Sequence, residues 1–410
     1  MFLEKVKTPG IAHLSYIVGD SAEAAVVDPR RDIEVYLETA AREGTRIKHI
    51  FETHRNEDYV VGSLELAERT GASIHHGARL PFEYGEPVAE GDLFEVGDLR
   101  LRVLETPGHT MESISLVLTD QNYGEQPVGV FTGDALFVGE VGRTDFFPDR
   151  AEEVAGMLYD SLFDKLLQLG DQTIIYPAHG AGSVCGDGMA SREFSTIGHE
   201  RANNPALQEE NREAFIKRKT GELHYQPPYF RKMEEYNLKG APQRNRQVDD
   251  VPLDADAVAE AVSSGAVLVD LRSPEAYAGA FIPDSLALPE PMLPAYGGYF
   301  LDYGKPLILI PENRGQFLNA LEHLSRLGYD QVLGYLDGGL HTWETTGKPY
   351  GHIKAVHAAE LGDRLAQDDS PLLLDVRKKT EFEAGHLPGA RHVFLGYLPD
   401  RLDELPKDKT

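Results

Sequence analysis

The sequence is poorest in cysteine: among 410 residues there is one, Cys185, and one tryptophan. A single thiol excludes any disulfide within the chain and fits a reducing compartment, so a cytoplasmic location is expected. Basic residues are also scarce, 40 Lys and Arg against 67 Asp and Glu, for a formal net charge of -27. A surface of that sign repels phosphate backbones, which excludes a general nucleic-acid binder and favours solubility. Long apolar runs are missing too: none approaches the roughly 18 residues that span a bilayer. The opening stretch MFLEKVKTPGIAHLSYIVGD lacks the unbroken apolar core of a secretory leader, and no membrane partner is expected.

What is present is globular. A hydrophobic share of 41% is enough for buried cores, and the length suggests two to three domains at roughly 150 residues each. Up to about residue 240, short β-rich runs alternate with turns and helices. AHLSYIVG, AEAAVVDP, IKHIFETH, ASIHHG, LRVLETPGHT, ISLVLTD, VGVFTGDAL and TIIYPAHG each read as a strand leading into a loop. Several end in His or Asp, which places polar groups on loops held by a rigid sheet. IEVYLETAAREG, GSLELAERTG and AEEVAGMLYDSLFDKLLQLG carry helical apolar spacing, and a Gly closes each as a C-cap. From about 202 to 250 the chain turns polar, a helical extension followed by a Pro-rich, charged linker over 241–252.

Four of the strand ends carry a candidate metal ligand: His54 in FETH, His109 in ETPGHT, Asp134 in FTGDAL and His179 in YPAHG. A lone strand-end His is more often a hydrogen-bonded structural residue. Four together can converge on one sheet edge, and the tight PGHT and TGD turns fix ligand direction. In the order TH…D, PGHT, GD, PAHG the segments resemble the metallo-β-lactamase superfamily over about residues 1–200. That resemblance implies an α/β fold, an αββα sandwich, without fixing the chemistry.

The superfamily's dinuclear hydrolases supply two metals through H-x-H-x-D-H. Here those positions read His54, Arg55, Asn56, Glu57, Asp58 and Tyr59. Asn56 is a neutral, weak donor, and Tyr59 would have to ionise. A second metal would keep only Asp58, His179 and a share of Asp134. Two imidazoles and one carboxylate remain, His54, His109 and Asp134, the facial set that suits non-haem Fe(II). GDALFVGEVGRTDF further resembles a segment of the persulfide dioxygenases. This resemblance implies one Fe(II) per chain on those three residues, with zinc as a substitute ion. It also implies oxidation by O2 of a small thiol persulfide, such as that of glutathione or coenzyme A, to sulfite and free thiol.

His179 and Asp58 are expected to hydrogen-bond behind the ligands. Arg143 either holds an Asp of the core or meets an anionic substrate. Tyr59 either faces substrate or is satisfied by backbone. Cys185, in the Gly-rich stretch HGAGSVCGDG, is either inert packing or a substrate-facing thiol that passes on sulfane sulfur.

Beyond the linker the chain repeats weakly. AVLVDLRSPEAYAGAFIPDSLALP and PLLLDVRKKTEFEAGHLPGARHVF both run strand, Asp-x-Arg, aromatic helix, small residues and Pro, about 105 residues apart. Both resemble rhodanese domains, whose signature ends G-H-I-P-G-A. A rhodanese needs a cysteine in the loop after its central strand. After PLILI the first copy has Pro311, Glu312, Asn313, Arg314 and Gly315, with no thiol. The second copy stops at LDELPKDKT before that loop, so the natural protein is expected to continue beyond residue 410. The expected organisation is a dioxygenase domain over 1–245, a pseudo-rhodanese over 252–350, and part of a second rhodanese-like unit over 355–410. A homo-oligomer is expected. Two other readings stand beside the dioxygenase. One is a zinc-dependent, glyoxalase II-like thioester hydrolase, which needs two metals. The other is a non-catalytic sulfur carrier or scaffold, which needs none.

Overall fold

The computed structural model describes residues 1–183, 188–222, 224–244, 250–366 and 371–407. The chain divides into two units, Met1–Arg244 with Ser325–Gly328, and Asn245–Leu324 with Tyr329–Thr410. Both rhodanese-like copies fall in the second unit, except for Ser325–Gly328 of the first copy.

In the first unit, strands β1 (Phe2–Thr8), β2 (His13–Asp20), β3 (Glu23–Val27), β4 (Arg46–Glu52), β5 (Ser73–Gly77) and β6 (Glu86–Val88) form one sheet in sequential order. Strands β7 (Leu93–Val96), β8 (Leu99–Glu105), β9 (Ile114–Asp120), β10 (Gly129–Gly133), β11 (Ile174–Pro177) and β12 (Ser195–Thr196) form a second, also sequential. The period-two alternation of a strand sorts their apolar residues. Val18, Val27 and Phe51 of the first sheet meet Leu101, Leu116 and Phe131 of the second in a shared core. Ile17, Val26 and Ile50 point the other way, onto Tyr36 of helix α1 (Glu34–Glu43) and Leu66 of α2 (Ser63–Thr70). On the far side, Val117, Val130 and Ile175 pack on Leu158 of α3 (Ala151–Asp160). The layers are helix, sheet, sheet, helix, so the αββα sandwich is observed. Helices α4 (Ile197–Asn203), α5 (Arg212–Thr220) and α6 (Phe230–Lys239) complete the unit.

Strand direction gathers the site. β3 and β4 run parallel, β10 and β11 run parallel, and β8 and β10 are each antiparallel to β9. The loops after β3 and β4 therefore leave one edge of the first sheet, and those after β8, β10 and β11 one edge of the second. Backbone bonds join these edges: Ile114 donates to the Thr53 carbonyl at 2.7 Å and Leu14 to that of Ala178 at 2.7 Å.

Helices α1 and α2 end at Gly44 and Gly71, both left-handed, as expected. The third helical stretch departs from expectation. It is regular only to Asp160, then widens into a π-helical turn over Ser161–Lys165 before a 3-10 turn. The cause lies in the PGHT loop. Gly108 (φ 143°) presses its backbone on α3, where an added Cβ would lie 2.4 Å from Leu158 Cα. Ser161 Oγ donates to the Pro107 carbonyl at 2.7 Å. A wide turn beside a functional loop is the usual adjustment to such an intrusion.

The second unit contains a parallel sheet in the order β13-β17-β16-β14-β15, with β13 (Pro252–Leu253), β14 (Val267–Asp270), β15 (Leu286–Ala287), β16 (Leu307–Ile310) and β17 (Val332–Leu336). Its central strand β16 is buried throughout, as a sheet covered on both faces requires. The Asp-x-Arg repeat has one geometry in both copies. Arg272 bonds Asp270 at 2.9 and 2.6 Å and reaches the Ala280 carbonyl at 2.8 Å. Arg377 bonds Asp375 at 3.0 and 2.6 Å and reaches the Gly385 carbonyl at 2.9 Å. Every partner is offset by 105 residues, Asp270 to Asp375 for one. In the second copy β18 (Leu374–Asp375) pairs with β19 (Arg391–His392).

Because Gly108 meets backbone atoms that cannot rotate away, Gly108→Ala should destabilise the unit by about 2–3 kcal/mol. Urea unfolding measures this; a change under about 0.5 kcal/mol would show that the loop is not wedged against α3.

Candidate metal centre

His54, His109 and Asp134 meet where the two sheets' edges come together, and all three are buried. Asp134 Oδ2 lies 3.7 Å from His54 Nε2 and 3.5 Å from His109 Nε2. The donor atoms are all within 4.8 Å of one another, a spacing that one ion can bridge.

The neighbours set which ring nitrogen faces inward. Thr53 gives its backbone N–H and its hydroxyl to Asp28, at 2.7 and 2.8 Å. With that hydroxyl proton committed, His54 Nδ1–H donates to Thr53 Oγ1 at 2.9 Å, which leaves Nε2 bare. His109 Nδ1–H donates to the Arg143 carbonyl at 3.0 Å, with the same result. Burial pushes the His54 imidazole down to about 3 and lowers that of His109 as well, so both rings are neutral. Neither Nε2 has a hydrogen-bond partner. Two buried lone pairs aimed at one carboxylate oxygen are the donor set a cation fits.

His179 joins the cluster in another role. Its Nδ1 lies 2.8 Å from Asp134 Oδ1 and its Nε2 3.1 Å from Asp58 Oδ2. Burial opposes its charge, but Asp134 and Asp58 outweigh burial and hold the imidazolium well above the usual histidine range. Burial likewise opposes the Asp134 carboxylate, and His179 and His54 override it, so that Asp134 lies well below the carboxylate range. With both N–H groups donated, His179 has no lone pair for a metal. Asn56 turns its amide nitrogen to the His54 carbonyl at 3.2 Å. Tyr59 packs on His13 with the rings tilted by 36° and 4.1 Å between centroids, its phenol toward the Asp28 carbonyl at 3.5 Å. Arg143 grips Asp145 in a fork of two 2.6 Å bonds, donates to the Tyr225 carbonyl at 3.3 Å, and covers the Phe146 ring. Cys185 lies outside the described residues.

Several residues at the centre carried no signal in the sequence motifs. Asp28 closes AEAAVVDP, a strand end like the others, and could have been weighed with them. Asn237 had no local signal. From α6 its amide nitrogen donates to the Asn56 and Tyr59 carbonyls, each at 2.7 Å, and its oxygen accepts from Val61 N–H at 3.0 Å. Tyr229 donates to the Asp58 carbonyl at 3.3 Å. The helical extension thus braces the THRNEDY loop.

With this geometry in view, likeness to known proteins is informative. Residues 8–179 match the metallo-beta-lactamase superfamily, and residues 254–346 and 357–410 the rhodanese-like domain. The chain belongs to the metallo-beta-lactamase superfamily, with rhodanese-like sequence following. Its N-terminal half is homologous to the mitochondrial persulfide dioxygenase ETHE1 of Mus musculus, 31% identical over 221 residues, 50% of this chain and 76% of that one. It is also 34% identical over 202 residues to a hydroxyacylglutathione hydrolase of Rhodopseudomonas palustris, 48% of this chain and 70% of the relative. A metallo-beta-lactamase crystal structure from Staphylococcus aureus matches with a TM-score of 0.74 at 30% identity, covering 82% of this chain and 98% of that one.

Beside the centre, burial raises the Glu52 carboxyl to about 8, although Tyr84 donates to it at 2.9 Å. A carboxyl raised on folding binds its proton more tightly in the native state. Its contribution is whole below the ordinary 4.5 and is lost as pH rises toward 8. Glu52→Gln should therefore be more stable than wild type at pH 8, with the gap closing toward pH 5. Urea midpoints across that range test it, and a gap independent of pH would contradict it.

Proposed function

We propose that the centre holds one ferrous ion through His54, His109 and Asp134, and oxidises a low-molecular-weight thiol persulfide with O2. One observation carries this reading. Three donors point at one place, while His179, which a second metal would need, is held between two carboxylates and Asn56 gives its amide nitrogen to the His54 carbonyl. The homology to persulfide dioxygenase supports it. The hydroxyacylglutathione hydrolase relatives support a thioesterase instead, but a dinuclear one lacks its ligands here.

A bound ferrous ion supplies Lewis acidity and the single-electron steps that ground-state O2 requires. The overall reaction is RSSH + O2 + H2O to RSH and sulfite with two protons; the outer sulfur gives up four electrons to O2. The chain's own contribution is orientation and shelter. Thr53 and the Arg143 carbonyl fix the two imidazoles, and His179 keeps Asp134 from rotating. Burial of the cluster excludes bulk water, which strengthens every charge interaction within it. Glutathione and coenzyme A are both small thiols of the required kind.

Purified wild type should carry about one iron per chain and consume O2 when given a persulfide. His109→Ala should lose the iron and at least 99% of the uptake. His179→Ala should bind iron about 10–100-fold more weakly, as expected for a group that orients a ligand. Two zinc ions per chain with thioester cleavage and no O2 uptake would replace this reading with the hydrolase.

A further inference from the structure

Glu57 is a further carboxyl group at the centre, and no motif drew attention to it. It is 1% exposed, and neither carboxylate oxygen makes a hydrogen bond. Oε2 lies 3.8 Å from His109 Nε2, itself unpartnered. Oε1 faces Arg55 Nη2 at 3.6 Å, beyond hydrogen-bond reach, and the same Nη2 spends its close contact on Glu234 at 2.9 Å. A buried carboxylate without hydrogen bonds is costly unless a cation meets it. Of the unpartnered buried atoms of this loop and its neighbours, His54 Nε2 and His109 Nε2 share the trio's site, and Glu57 Oε2 lies beside His109 Nε2 while Oε1 faces Arg55. One ion between the imidazoles and Oε2 would satisfy those three atoms together.

From this clustering we infer that Glu57 is a fourth protein donor to the ion, bonding through Oε2 on the side of His109. The inference rests on the metal site proposed above. Glu57 lies outside the trio whose donors are all within 4.8 Å of one another, and no hydrogen bond holds its carboxyl group where it is. Two consequences follow from the chemistry. Asp134 and Glu57 together neutralise a divalent ion and harden the donor set toward oxygen-preferring metals. With Glu57 as donor, the chain would supply four of the ion's ligands and leave the remainder to the reactants.

The test is anaerobic binding of ferrous ion, by competition with a chelator, to wild type, Glu57→Gln, Glu57→Ala and His109→Ala, alongside melting of each metal-free chain. Glu57→Gln and Glu57→Ala should bind at least about tenfold more weakly than wild type. Metal-free Glu57→Gln should melt above metal-free wild type, because a buried carboxyl group without a hydrogen bond is replaced by a neutral amide. Glu57 variants that bind as tightly as wild type, while His109→Ala does not, overturn the fourth donor and leave the trio standing. His109→Ala binding as tightly as wild type overturns the whole centre, Glu57 included. Should Glu57→Ala lose its cooperative melt, the near-isosteric Gln variant decides alone.

Discussion

A protonated histidine held between two buried carboxylates is the constraint from which the rest of the centre follows. His179 gives one N–H to Asp134 and the other to Asp58. In a low-dielectric interior each charge is tolerable only because the others are there, so removal of any one strands its partners. The arrangement turns Asp134 so that both its oxygens face His179 Nδ1, at 2.8 and 3.0 Å, and Oδ2 also faces His54 and His109. It also ties the sheets' edges together. His179 sits beside His13 in an isolated bridge, one residue from the bond that Leu14 donates to the Ala178 carbonyl. His179 is thereby a strut for the Asp134 carboxylate.

How much of this was legible follows from how local each signal is. His54, His109, Asp134 and His179 announce themselves because each ends an apolar run at a turn, and strand direction brings such ends to shared edges. The layers were legible through the superfamily motifs, and two helix ends through glycine. Asn237 was not legible: it lies 181 residues from the carbonyl it holds, and no periodicity spans that distance. Glu57 was hidden differently, for it looked like one more polar residue in a polar loop, and only its burial without hydrogen bonds makes it conspicuous. The third helix misled because its apolar spacing runs on to Gly170. The π-helical turn comes from Gly108, on another loop, pressing against Leu158.

Frame and chemistry separate in both halves of the chain, by the same physics. In each rhodanese-like copy the arginine of Asp-x-Arg clasps its aspartate and a carbonyl eight residues on. That clasp belongs to the frame and is intact in the first copy, where the loop after β16 carries no thiol. The THRNEDY loop makes the point more sharply. The side chains of Asn237, in α6, and Tyr229, just before it, donate to the carbonyls of Asn56, Asp58 and Tyr59 and so fix the path of the loop. The path of the loop then does not depend on the side chains at positions 56 and 59, while His54 stays fixed by Thr53. A loop braced by protein can present different donor sets on one path, which is how one fold can carry different chemistries.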